Sequence, residues 1–129
     1  GIMEFNNLAT AVAHEAGAEV NILSPVDGSP TDVFITIQGA DSKEWRKQKK
    51  KQTSLIIAAK SNDKLQDLDY DAMDVEALVA VTLGWRGLSK DGKEYKFSKA
   101  NAKALYEQAP SVVEQLIAFL GDSANFIKG

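Results

Sequence analysis

Apolar positions change their period several times along the chain, and each change marks an element. In residues 3–17, Phe5, Leu8, Ala9, Val12 and Ala16 recur at helical spacing before Gly17, a natural left-handed stop, so a short N-terminal helix with an apolar stripe is expected. Val20–Leu23 and the β-branched run Val33–Ile37 then flank the turn cluster Ser24–Pro30. That grouping predicts a β-hairpin. A lone two-stranded hairpin is marginal in water, so its apolar face must pack on helices or pair with another chain.

From Asp41 onward the period becomes helical again. Asp41 and Ser42 are good N-caps, Glu44 suits a first turn, and a long helix is predicted to about Lys60. At about 100° per residue, Trp45, Gln52, Ile56 and Ala59 share one side, and Lys43, Arg46, Lys47, Lys50 and Lys51 share the other. An acidic connector, Asn62–Asp74, leads through Asp71 or Asp74 as cap into Val75–Leu83, which is apolar nearly all round and reads as a central buried helix ended by Gly84. Lys90-Asp91-Gly92-Lys93 predicts a tight turn. Ser98 then caps a helix with Ala102, Leu105 and Tyr106 inward, which Pro110 stops. Ser111 and Glu114 fit a capping box for a last helix whose apolar face is Val112, Val113, Leu116, Ile117 and Leu120. Gly121 closes that helix, and Asn125-Phe126 are expected to dock back. The predicted class is mainly α within α+β: a small helical domain with an N-terminal β-hairpin packed on helices.

Composition narrows the function classes. A chain of 129 residues is the usual size of one domain. Gly1 and Ile2 precede Met3 and read as a tag remnant, leaving 3–129 as the expected domain. With no cysteine, disulfides, iron–sulfur clusters, thiolate zinc sites and cysteine nucleophiles are excluded. The longest apolar run, Ala77–Leu83, is far short of the ~20 residues that span a bilayer, so a soluble, unexported protein with no membrane partner is expected. A net charge of -3 gives no global attraction to nucleic acid, so any basic site must be local.

Candidate chemistry is sparse. His14 is the single histidine, and with no nucleophile turn beside it a surface position is expected. Asp67, Asp69 and Asp71 copy the start of a calcium loop, but Ala72 replaces the required glycine and Leu78 the closing glutamate. A solvated acidic connector is the simpler reading, and no cofactor or metal is expected. The face carrying Arg46, Lys47, Lys50 and Lys51 suits an acidic protein surface, with the Asp63–Asp74 connector of a neighbouring copy as one acceptor. A small DNA-binding regulator using the Lys43–Lys51 face is the alternative, weakened by the absence of interleaved aromatics. Trp85, between Gly84 and Gly87, is expected to plug the core against the Val75–Leu83 helix and the last helix.

The ordered series matters more than any one residue. Thr82-x-Gly84-Trp85-x-Gly87, then Asp91-Gly92, then Phe97-Ser98-x-x-Asn101-Ala102, and finally Asn125-Phe126 resembles the tail assembly chaperones of long-tailed bacteriophages and prophages. The resemblance covers the C-terminal half, and it implies a largely structural role for Gly84, Trp85, Gly87, Phe97, Ser98, Asn101, Asn125 and Phe126. It further implies a non-catalytic protein of the host cytoplasm, absent from the mature virion. Such a protein binds the tape measure protein, self-associates, and reaches the tail tube protein through a longer frameshifted form.

Overall fold

The computed structural model describes residues 1–127. Its elements are α1 (Phe5–Leu8), α2 (Ala11–Ala16), β1 (Ala18–Leu23), β2 (Pro30–Ile37), α3 (Lys43–Ser61), α4 (Tyr70–Val81), β3 (Thr82–Arg86), β4 (Ser89–Lys90), β5 (Lys93–Glu94), α5 (Lys99–Gln108) and α6 (Pro110–Leu120). Single 3₁₀ turns at Leu65–Asp67 and Ser123–Asn125 complete the regular structure of the described residues. The architecture is the expected α+β arrangement, with the N-terminal hairpin packed on helices.

The hairpin is not the whole sheet. β2 lies between β1 and β3, antiparallel to both, so Thr82–Arg86 is a third strand where a helix end and turn were expected. Period-two alternation sends Val20, Ile22, Ile35 and Ile37 into the core and Glu19 and Arg86 to the outer face. Thr82 pairs with Ile37 and Gly84 with Thr36, which leaves Leu83 as an unpaired bulge residue, largely exposed. The free edge of β1 is blunted by Gln115 of α6. Its side-chain oxygen accepts from Leu23 N–H at 2.7 Å and its amide donates to Leu23 C=O at 3.1 Å, as a neighbouring strand would.

The helices follow their caps closely. Ser42 caps α3 by accepting from Trp45 N–H, and the buried side of α3 carries Trp45 and Gln48, with Gln52, Ile56 and Ala59 half-buried. Asp69, rather than Asp71 or Asp74, caps α4, accepting from Ala72 N–H at 2.9 Å. Ser98 caps α5 as expected, at 3.0 Å from Asn101 N–H. At α6 the capping box is not used: Pro110 occupies the first turn, where its missing N–H costs nothing, and no side chain caps the helix.

The critical junction is the end of α4, which passes into β3 with no intervening loop. A helix end leaves four carbonyls without intrahelical partners, and burial forbids water from satisfying them all. Each is satisfied here. Val79 and Ala80 C=O accept from the Lys99 ammonium at 2.8 and 3.2 Å and Val81 C=O accepts from Gln38 N–H at 2.9 Å, while Leu78 C=O, already bonded by Thr82 N–H, also accepts from the Thr82 hydroxyl at 2.6 Å. Lys99 also donates to Thr82 C=O at 2.9 Å. Because Thr82 spends its single proton on Leu78, the Tyr106 hydroxyl is the donor in their 2.7 Å contact.

Two outcomes test this junction. Lys99→Met keeps the aliphatic stem but removes the donors, and should lower stability by about 1–3 kcal/mol in urea unfolding. Burial raises the Tyr106 phenol from 10.0 to about 12, against a smaller opposing effect of the Thr82 hydrogen bond. The unfolded chain therefore ionises first as pH rises. Stability from this group is complete below about pH 10 and is lost towards pH 12, a drop of roughly 2–3 kcal/mol that Tyr106→Phe should abolish.

Candidate interaction surfaces

The motif residues from Thr82 to Asn101 form one connected unit in the fold. Trp85 points to the core side of β3, opposite Ile35, and is half-buried. Its indole N–H donates to Tyr95 C=O at 2.7 Å, its ring stacks on Tyr95 at 5.9 Å, and Phe97 meets it edge-on at 5.1 Å. These contacts hold the β4–β5 hairpin and the approach to α5 against β3. Trp85 is half-buried in a strand where a core plug at a helix end was expected, and it clasps the segment before α5, because a strand residue projects sideways where a helix-end residue would cap.

Between those aromatics the chain reverses at Asp91 and Gly92, both with positive φ, 52° and 79°, as a two-residue primed turn requires. Gly87 has φ 81°, and a Cβ there would collide with the carbonyl oxygen of Asp32. Gly84 differs, since a Cβ on it meets open space. Asn101 donates to Lys96 C=O at 2.8 Å, closing the loop onto the Ser98-capped turn. Asn125 donates to Phe119 C=O at 2.9 Å, and Phe126 is buried against Phe119 and His14, so the tail docks as expected.

His14 corrects the expectation of a surface histidine. It is 0% exposed, and its Nδ1 accepts from Asp41 N–H at 2.8 Å. The imidazole lies on Gly39, where any Cβ would overlap the ring, and Phe126 covers it at a centroid distance of 4.8 Å. Nε2 has no hydrogen-bond partner. Thr10 on the same side of α2 donates to the Asp41 carboxylate, and Glu15 accepts from Lys43 N–H at the start of α3. The polar side of the N-terminal segment is thus the docked side. Its apolar stripe is not: Phe5, Leu8 and Val12 remain exposed, and the expected single helix is broken between Leu8 and Ala11.

The basic face of α3 is exposed, and Lys43, Arg46, Lys47 and Lys50 line one shallow depression on it. Lys51 leaves that group, because it forms an ion pair with Glu76 of α4. Beyond Lys51, Leu55 and Ile57 of α3 are exposed on different sides of the helix, about 200° apart, and Leu65 and Tyr70 in the segment that follows are exposed too. A second concavity of about 580 Å³ opens between α4, α5 and α6. Val75, Val113 and Ile117 form its floor, and Asp71, Asp74, Glu107 and Glu114 its rim. Asp67, Asp69 and Asp71 do not converge, and among the described residues no cluster of three metal-ligating side chains is present. On the outer sheet face Arg86 lies 4.0 Å above the Phe34 ring and donates to Glu19 at 2.9 and 3.3 Å, which holds the Glu19 carboxyl below its usual pKa.

Lys99 and His14 are the structurally decisive positions that residue-by-residue reading misses. Lys99 does carry a signal: a cation in the first turn opposes its own helix dipole, so it must serve a different partner. His14 has none, since only the fold brings Gly39, Asp41 and Phe126 around it.

The family described as YdaY prophage protein matches residues 40–129. No curated protein and no solved structure matches the chain.

Truncating the clasp should weaken the fold without abolishing it, because Trp85 is only half-buried. Trp85→Ala is expected to cost about 2–4 kcal/mol in urea unfolding. Trp85→Phe, which keeps stacking but loses the hydrogen bond to Tyr95, should cost roughly 1–2 kcal/mol.

Proposed function

The chain belongs to the YdaY prophage protein family, and on that premise we propose that it is a tail assembly chaperone, a non-catalytic protein that binds the tape measure protein in the host cytoplasm. Tail tube subunits then assemble around the bound tape measure protein, with a longer frameshifted form of this chain contacting the tube protein. The observation that carries the reading is the ordered motif series from Thr82 to Phe126. It lies wholly within the family-matched residues, and from Thr82 to Asn101 it supplies one connected unit of β3, the Trp85 clasp and the Ser98-capped helix, while Phe126 docks separately on Phe119 and His14.

Surface character supports a helical, apolar client. Leu55, Ile57, Leu65 and Tyr70 expose apolar area around the far end of α3, also within residues 40–129. Exposed apolar side chains on a stably folded small protein supply anchor points for association, and an amphipathic helix is a natural occupant. The N-terminal stripe of Phe5, Leu8 and Val12 offers a second such surface outside the family-matched segment.

Co-expression with the cognate tape measure protein tests the proposal. Soluble tape measure protein should rise several-fold with the wild-type chain, and Leu55→Ser with Ile57→Ser should remove most of that gain while leaving the unfolding midpoint nearly unchanged. Equal precipitation with and without the wild-type chain defeats the proposal. Labelled duplex DNA should show no saturable binding at low salt, the condition that most favours the basic-face regulator.

A further inference from the structure

We propose that copies of this chain associate head to tail, the cationic half of the α3 outer face in one copy seating in the acid-rimmed groove between α4, α5 and α6 of the next. Both halves of the contact are present on the surface of one chain. Lys43, Arg46, Lys47 and Lys50 follow i, i+3, i+4, i+7 spacing, so they project along one side of α3, and none forms an ion pair among the described residues. Asp71, Asp74, Glu107 and Glu114 rim the groove and are likewise unpaired among the described residues.

The chemistry of the groove suits long cationic side chains better than a bare ion. Its floor is apolar and its rim anionic. Lysine and arginine have the matching construction, an aliphatic stem that lies along apolar surface and a charged head that reaches past it. A hydrated metal ion would gain nothing from Val75, Val113 and Ile117.

Position on α4 decides the symmetry. Met73 accepts at its carbonyl from Gln52 of α3, and Glu76 pairs with Lys51 of α3, so that side of α4 faces α3. Asp71, Asp74 and Val75 point to the opposite side, about 180° round the helix at ~100° per residue. The outer face of α3 and the groove therefore look in different directions. A contact between them is heterologous, and repeating it extends beyond a dimer. This association stands independently of any tape measure partner.

Light scattering and sedimentation of the purified chain provide the test. At about 0.02 M salt the mass should grow beyond a dimer as concentration rises, and at about 0.5 M salt it should fall to the monomer. Lys47→Glu with Lys50→Glu should raise the concentration needed for association roughly tenfold or more, as should Glu107→Lys with Glu114→Lys. Circular dichroism should show both double variants as helical as the wild type, since all four positions are exposed. Mixed in equal amounts, the two variants should associate again, because each reversed surface then meets its complement. Three results overturn the proposal: a wild type that stays monomeric or stops at the dimer, either variant associating alone like the wild type, or a mixture that stays monomeric.

Discussion

The end of α4 is the constraint on which the rest of the molecule depends. Leu78 and Val81 are completely buried and Val79 and Ala80 half-buried, so bulk water does not reach all the carbonyls of the last helical turn. Leaving even one unsatisfied costs about 1–3 kcal/mol. The chain meets this with its own next residue and two remote segments: Thr82, with Tyr106 of α5 behind it, Gln38 just past β2, and Lys99 from the start of α5. Once those partners are in place, the following residues are already held beside β2, and Thr82–Arg86 continues as a strand.

That junction organises the two halves of the protein. β3 completes a sheet whose inner face, led by Ile35 and Ile37, packs with the helices in one apolar cluster. It also aims Trp85 at Tyr95 and Phe97, which fixes the hairpin between β3 and α5 and brings Ser98 and Lys99 to the end of α4. The motif series is thus a closed loop of mutual support, in which the helix end positions the strand and the aromatic clasp returns the lysine that caps the helix. One residue beyond Gln38, His14 on Gly39 performs a comparable docking for α2, with Glu15 satisfying the first amide of α3.

Charge is distributed for contact more than for stability. Two ion pairs join described side chains, and both are surface pairs of the kind that contributes little. Among the described residues, Lys43, Arg46, Lys47 and Lys50 on one side and the rim acids of the α4–α5–α6 groove on the other form no ion pair, on opposite flanks of α4. A protein with this division offers a cationic ridge and an anionic cleft to its neighbours while keeping apolar area exposed at the far end of α3.

Local physics made several elements legible from the sequence alone. The β-branched hairpin, the Ser42 and Ser98 caps, the Asp91-Gly92 reversal and the apolar face of α6 each follow from a few neighbouring residues, and the structure forms them. So does the inward side of α3, because helical period alone separates Trp45, Gln52, Ile56 and Ala59 from the lysines. Tertiary structure decided the remainder. Val75–Leu83 is apolar nearly all round, so nothing in its own pattern reveals that Thr82 leaves the helix; pairing with β2, more than 40 residues earlier, makes that choice. The N-terminal stripe and His14 were inverted for the same reason. Hydrophobic spacing identifies a face but not its mate, and only the approach of Gly39, Asp41 and Phe126 placed the histidine inside while Phe5, Leu8 and Val12 stayed in solvent.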